Sequence, residues 1–349
     1  MKKKASNPAS NTIVDKVSSS IKAAVSEWAP NPFAKTCDKI SSVKAGPKIN
    51  VIGEIPDGEN TICFALISLR EYPDNAWKRD DTILNRKDER KRGIDIEACK
   101  RQRLDCSPQM VRGRLAFYEW ALKKAIDEGA RIICINELGF PVSQGRPHVS
   151  AIKVARDLAN KHKAFILAGS LHDGITKYNT GYLFYPGCPR DGYLFHKHVS
   201  ACQAGEYISI PPHRQSLTTT VLGFKISVII CLELMDYSTI SSIVQLGAGV
   251  DFLLIPAYCE EESTGSMIKM ARFASNAMPG GVALVNYSFS RLYLFDKLKK
   301  PYKTLPVPNN GGKVRLYKID YDKFNRDKRN KQNNRPPDIS WLFNLLIEV

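Results

Sequence analysis

The sequence predicts an α/β fold. Apolar runs of strand length recur along the chain, stretches of helical periodicity fall between several of them, and no internal repeat divides it. With 349 residues, 43% of them hydrophobic and 9% aromatic, the chain holds enough apolar material for one large domain or two of average size.

Residues 1–58 are rich in Lys, Ser, Ala, Asn and Pro and read as an N-terminal extension, with one amphipathic run at Ile13–Trp28. The first strand is expected at Thr61–Leu69, a continuous apolar run suited to burial on both faces. From about 70 to 105 the composition turns strongly charged, centred on Arg86–Arg92, which reads as a surface insertion. Ser107-Pro108 then opens a helix, because Ser caps well and Pro suits the first turn. Val111, Leu115, Trp120 or nearby Phe117, Leu122 and Ala125 recur near helical spacing up to Gly129.

A strand at Arg131–Asn136 follows, and the alternation continues with a helix at Ala151–His162 and a strand at Ala164–Leu171. Further strands are expected at Thr180–Tyr185, Gly192–Phe195, Phe224–Ile230, Asp251–Ile255 and Val282–Asn286, with helices at Tyr237–Leu246 and Ser263–Met278. Gly311–Asp320 reads as the last strand.

The bulk composition narrows the function classes. No run of about 18 apolar residues is present and no apolar stretch follows the three N-terminal lysines, so neither a membrane span nor secretion is expected. Nine cysteines without a C-x-x-C pair suit reduced thiols in the cytoplasm, and the six dispersed histidines suggest no metal site. The formal charge of +16 is uneven: Arg291 to Arg335 holds fourteen Lys or Arg against four Asp or Glu. Such a basic tail can attract nucleic acid or another polyanion, although similar blocks are often merely solvated.

Three polar residues stand at the ends of apolar strands, where a rigid sheet can hold a side chain while a loop leaves it accessible. Cys231 follows Ile226–Ile230 and is expected at a strand-to-helix turn, a position that favours a thiolate. Alone, a cysteine in that setting is more often a small core residue. Glu137 follows Cys134-Ile135-Asn136, either capping the next segment or serving as a desolvated general base. Lys197 could lie on an exposed edge strand, but alternation puts it on one face with Phe195 and Val199, where it needs a carboxylate partner.

Taken in order, these segments resemble the nitrilase superfamily of carbon–nitrogen hydrolases. The resemblance rests on Glu137, Ala168-Gly169-Ser170, Tyr178-Asn179-Thr180, Lys197, Gly205-Glu206-Tyr207, Cys231 and Gln245–Pro256, with Ala271-Arg272, Asn276 and Asn286 after them. It implies a four-layer α-β-β-α sandwich over residues 59–320, followed by the basic tail at 321–349. Glu137 would be the base, Cys231 the nucleophile, and Lys197 with the backbone N–H after Cys231 the oxyanion site, while Glu206 would orient Lys197. Leu232, Glu233, Tyr207 and Tyr258 are the implied substrate contacts, Cys259–Met267 a pocket loop, and Tyr237–Leu246 a dimer helix.

The expected reaction is hydrolysis of a non-peptide carbon–nitrogen bond in a small amide or carbamoyl-amine, ahead of a nitrile, with no cofactor. Departures from the pattern leave the substrate open: Asn136 stands where the family commonly has proline, and Leu232-Glu233-Leu234-Met235 keeps only the acidic residue of the usual run after the cysteine. The competing reading is a nitrilase-like module that docks nucleic acid or a protein through its basic insertion and tail.

Overall fold

The computed structural model describes residues 44–45, 49–50, 60–72, 77–78, 103–104, 106–173, 178–198, 208, 215–235, 250–259, 261–277, 280–295 and 297–334. All of them belong to one compact unit, residues 43–85 and 95–349. The run at Ile13–Trp28, the charged centre at 86–92, Glu206, Tyr207, the Tyr237–Leu246 helix and residues 335–349 lie outside the described residues.

The first sheet is built on β1, Thr61–Leu69, whose residues are buried from Ile62 onward. Side-chain alternation explains how one apolar run serves two interfaces. Ile62, Phe64 and Leu66 join the core that contains the second sheet, whereas Cys63, Ala65, Ile67 and Leu69 pack with helices α1 (Pro108–Asp127) and α2 (Val149–His162). Ser107 caps α1 as expected, its hydroxyl accepting from the Met110 amide at 3.3 Å, with Pro108 in the first turn.

Strands β2 (Ala130–Ile135), β3 (Phe165–His172), β4 (Asn179–Phe184) and β5 (Tyr193–His196) extend this sheet on one side of β1. β1, β2 and β3 are parallel, and β4 and β5 follow antiparallel. The C-terminal ends of β2, β3 and β5 therefore lie at one edge. The second sheet repeats the scheme with β6 (Gln215–Val221), β7 (Phe224–Val228), β8 (Phe252–Pro256) and β9 (Gly281–Val285), of which β7, β8 and β9 are parallel. Helix α3 (Glu261–Ala277) contributes Met267, Ala271 and Ala274 to the core on this side. Mixed sheets with helices against them give the α-β-β-α layering that the sequence implies.

The basic stretch after Arg291 is folded, and the last strand falls where the sequence places it, at Gly312–Asp320. β10 (Ser290–Leu294), β11 (Lys297–Lys299), β12 (Lys303–Val307) and β13 (Gly312–Asp320) are folded, and β13 pairs along the whole of β1. Val314 and Leu316 face the helix-side core and Tyr317 and Ile319 the core shared with the second sheet, while Lys313 and Lys318 remain exposed and Arg315 donates to Ser290 Oγ at 2.9 Å. Helix α4, Tyr321–Asn334, occupies the start of the stretch read as a tail. It inserts Phe324 against Phe224 and Phe252, with ring centroids 5.3 and 5.0 Å apart, and pairs Lys328 with Asp251. The expected pocket loop is corrected, since α3 already begins at Glu261. Among the described residues, no helix is long and apolar enough to cross a membrane.

Candidate active site

β2 ends at Ile135, and the next residues form a turn fixed from several directions. Asn136, where the resemblance leads one to look for proline, accepts the Leu69 amide on Oδ1 at 2.7 Å and donates from Nδ2 to the Glu137 carbonyl at 2.8 Å. Its side chain thus ties the ends of β1 and β2 together. Leu138 takes a left-handed conformation, φ 56°, and its amide donates to Ser170 Oγ at 3.2 Å. These bonds leave the Glu137 side chain little freedom.

The Glu137 carboxylate meets Lys197 at 2.7 Å, and each side chain is only 1% exposed. Asn179 completes the arrangement. Its Nδ2 donates to the same carboxylate oxygen at 2.7 Å, while its carbonyl accepts the Lys197 amide at 2.9 Å. The lysine therefore has the carboxylate partner that its place on an apolar face requires, and Asn179 holds both members from a neighbouring strand.

Glu233 joins this group to Cys231. One carboxylate oxygen accepts the His198 amide at 2.7 Å and the other the Ile230 amide at 2.6 Å. Lys197 and Cys231 are the chain neighbours of those two residues, so one buried carboxylate sets the distance between the loops that carry them. Glu233, a substrate contact by resemblance, places one carboxylate oxygen on a backbone amide of each loop.

Cys231 opens a five-residue 3-10 turn, Cys231–Met235, rather than a long helix, and has φ 49°. Its thiol is 3% exposed, donates to the Tyr258 carbonyl at 3.7 Å and lies 3.9 Å from the Cys259 sulfur. The contact with Cys259 and the burial push the Cys231 thiol well above the ordinary cysteine range, while the Lys197 ammonium pulls it down. The Cys259 contact and the burial both oppose the thiolate that the strand-end position of Cys231 favours.

Tyr258 is half-buried; its hydroxyl donates to Glu71 Oε2 at 2.6 Å and its ring lies 5.0 Å from that of Tyr287. Leu232 is half-buried against the sandwich core. Arg114 is a residue that the sequence reading missed. It is buried in α1, donates to the carbonyls of Arg70 and Leu138 (2.8 Å for the latter), and stacks on the Tyr72 ring at 4.5 Å. Desolvation lowers its pKa, and it still holds the turn after Glu137 against the end of β1. Its position between Val111 and Tyr118, on the inward face of α1, was the available signal.

No family model matches the sequence, and no curated protein does. Solved structures do match in shape. A CN-hydrolase superfamily protein from Xanthomonas campestris, solved with an arsenic adduct in its active site, aligns with TM-score 0.54 and 13% identity, covering 79% of this chain and 98% of its own. The fold is that of the nitrilase superfamily. Glutamine-dependent NAD+ synthetase from Acinetobacter baumannii aligns over 76% of this chain and 46% of its own, with TM-score 0.50 and 14% identity. Nit3 of Saccharomyces cerevisiae, a branch 10 member of the superfamily, aligns over 80% of this chain and 97% of its own, with TM-score 0.49 and 15% identity. On this nitrilase fold, Glu137, Lys197 and Cys231 all follow strand ends at the edge where the two sheets meet through Glu233.

Proposed function

We propose that the protein is a thiol hydrolase of a non-peptide carbon–nitrogen bond in a small amide or carbamoyl-amine. The observation that carries this reading is the Glu233 carboxylate, which binds the amides of His198 and Ile230 and so gathers a buried Glu–Lys pair and a cysteine into one site. A buried ion pair is a costly way to stabilise a core, so its retention beside a thiol favours chemistry.

In this mechanism Glu137 takes the Cys231 proton as the sulfur attacks the carbonyl carbon, and the carbon–sulfur bond forms as the carbonyl becomes an oxyanion. Lys197 and the backbone N–H of Leu232 stabilise that charge, a contribution of roughly 3–4 kcal/mol for one such donor in related chemistry. The carbon–nitrogen bond then breaks, Glu137 hands the proton to the leaving amine, and water activated by Glu137 hydrolyses the thioester to a carboxylate and the regenerated thiol. By resemblance, Glu206 supports Lys197, Tyr207 and Tyr258 line the substrate, the enzyme is a cytoplasmic homodimer, and no cofactor takes part.

The test is amine release from a panel of small amides, carbamoyl-amines and nitriles by the wild type and by Cys231→Ala. Turnover lost in the variant supports the reading. A folded wild type that is silent across the panel, yet retains nucleic acid in a salt-sensitive manner that Cys231→Ala preserves, replaces it with a docking module.

A further inference from the structure

The proposed hydrolysis leaves one thiol unused. Cys259 is 4% exposed, and its sulfur lies 3.9 Å from that of Cys231. Twenty-eight positions separate the two residues, and the sheet brings them together. β7 and β8 are adjacent parallel strands in which Val228 faces Leu254, so both cysteines lie just past the C-terminal ends of neighbouring strands.

The backbone of Cys259 is clamped from both sides. Its N–H donates to Asn286 Oδ1 at 2.9 Å, and its carbonyl accepts from Asn286 Nδ2 at 3.0 Å. Asn286 is fully buried at the end of β9. A primary amide engaged on both its oxygen and its nitrogen holds Cys259 in one orientation, and that orientation presents the thiol to Cys231.

We propose that Cys231 and Cys259 form a redox pair, in which a hydroperoxide oxidises Cys231 and Cys259 converts the product to an intramolecular disulfide that reversibly blocks the site. In the first step the Cys231 sulfur attacks a peroxide oxygen. The sulfur–oxygen bond forms, the oxygen–oxygen bond breaks, and the departing alkoxide or hydroxide takes the thiol proton. In the second step the Cys259 sulfur, giving up its proton, attacks the Cys231 sulfur. The disulfide forms, the sulfur–oxygen bond breaks, and water leaves. Overall, two thiols lose two electrons and two protons, and the hydroperoxide is reduced to an alcohol (or water) plus water. Exchange with a small dithiol reverses the change.

A disulfide needs its sulfurs about 2.0 Å apart, so the 3.9 Å gap must shrink by roughly 2 Å. A second thiol in contact also intercepts the sulfenic acid before further oxidation makes the damage permanent. The disulfide needs only the two thiols, whereas its action as an off-switch rests on the reading of Cys231 as nucleophile.

The test titrates the reduced full-length protein with hydrogen peroxide, quenches by alkylation under denaturing conditions, and follows peptide masses and amide turnover together. The expected wild-type product is a linked Cys231–Cys259 peptide, lighter by two hydrogens. Turnover falls in step with it and returns with dithiothreitol. Cys259→Ser is expected to give no link and to accumulate sulfinic and sulfonic Cys231, with a loss that dithiothreitol does not reverse. Wild-type protein in which Cys231 over-oxidises while Cys259 stays alkylatable overturns the proposal, whatever the variant does. A linked peptide in a protein that turns over no amide upholds the thiol pair and removes the hydrolase reading.

Discussion

Lys197 and Glu137 form an ion pair 2.7 Å long in which each side chain is 1% exposed, sealed at the edge of a sheet beside buried Asn179. Charges so far from water depend on one another. Removing either partner leaves an uncompensated buried charge, at a typical cost of about 3–5 kcal/mol, whereas replacing both by apolar groups of similar size is often nearly neutral. Glu137→Leu and Lys197→Met should each lower the urea midpoint strongly, and the double variant should recover much of the loss while staying inactive. Two single variants as stable as the wild type would contradict the pairing.

Glu233 is expected to matter for rate without touching substrate. Its two oxygens accept the amides of His198 and Ile230, so Glu233→Ala frees the loops bearing Lys197 and Cys231 and leaves buried N–H groups without acceptors. A loss of about 1–3 kcal/mol in stability is expected, with kcat falling more than KM rises. Glu233→Gln, which retains one acceptor oxygen, should lie between. A variant with unchanged kcat and raised KM would return Glu233 to the substrate wall.

The thiol titration has a definite sign. Cys259 and burial both raise the Cys231 pKa, so thiolate forms only at pH above the ordinary cysteine range. Iodoacetamide labelling of Cys231, mapped by peptide mass, should therefore rise late on the pH axis. Cys259→Ala removes the first of those causes, and the midpoint should move to lower pH. A midpoint that stays in place or moves upward would contradict the assignment.

Gly169 backs the turn that carries Glu137. It has φ +87°, and an added Cβ would lie 2.8 Å from the Asn136 carbonyl oxygen and 3.2 Å from the Phe140 nitrogen. Gly169→Ala should cost about 1–3 kcal/mol through strain and reduce turnover by displacing that turn. Gly129, with φ +86° and open space around it, is the comparison: Gly129→Ala is strained but presses on nothing, so turnover should hold.

Much of this arrangement was legible in the residues because strand burial leaves a strong signature. Thr61–Leu69 was read to the residue, since nine consecutive strand positions have an apolar environment on both faces after the first. Lys197 was traceable because alternation placed a charge among apolar neighbours. Other parts left weaker traces. Arg114 is a cation buried by contacts with two carbonyls and an aromatic ring, all distant in sequence. β11 and β12 are short and carry lysines at exposed positions, so net charge masked their pairing. The Cys231–Cys259 contact depends on strand order in the second sheet, which no local pattern encodes.

The central claim is that Cys231 carries an acyl group during turnover. The most direct measurement is intact mass spectrometry of the wild type, quenched in acid during incubation with the amide panel, with Cys231→Ala alongside. The account predicts a mass increase equal to the acyl portion of a substrate, located on the Cys231 peptide and absent from the variant. Turnover accompanied by no adduct, or by an equal adduct in Cys231→Ala, would contradict it.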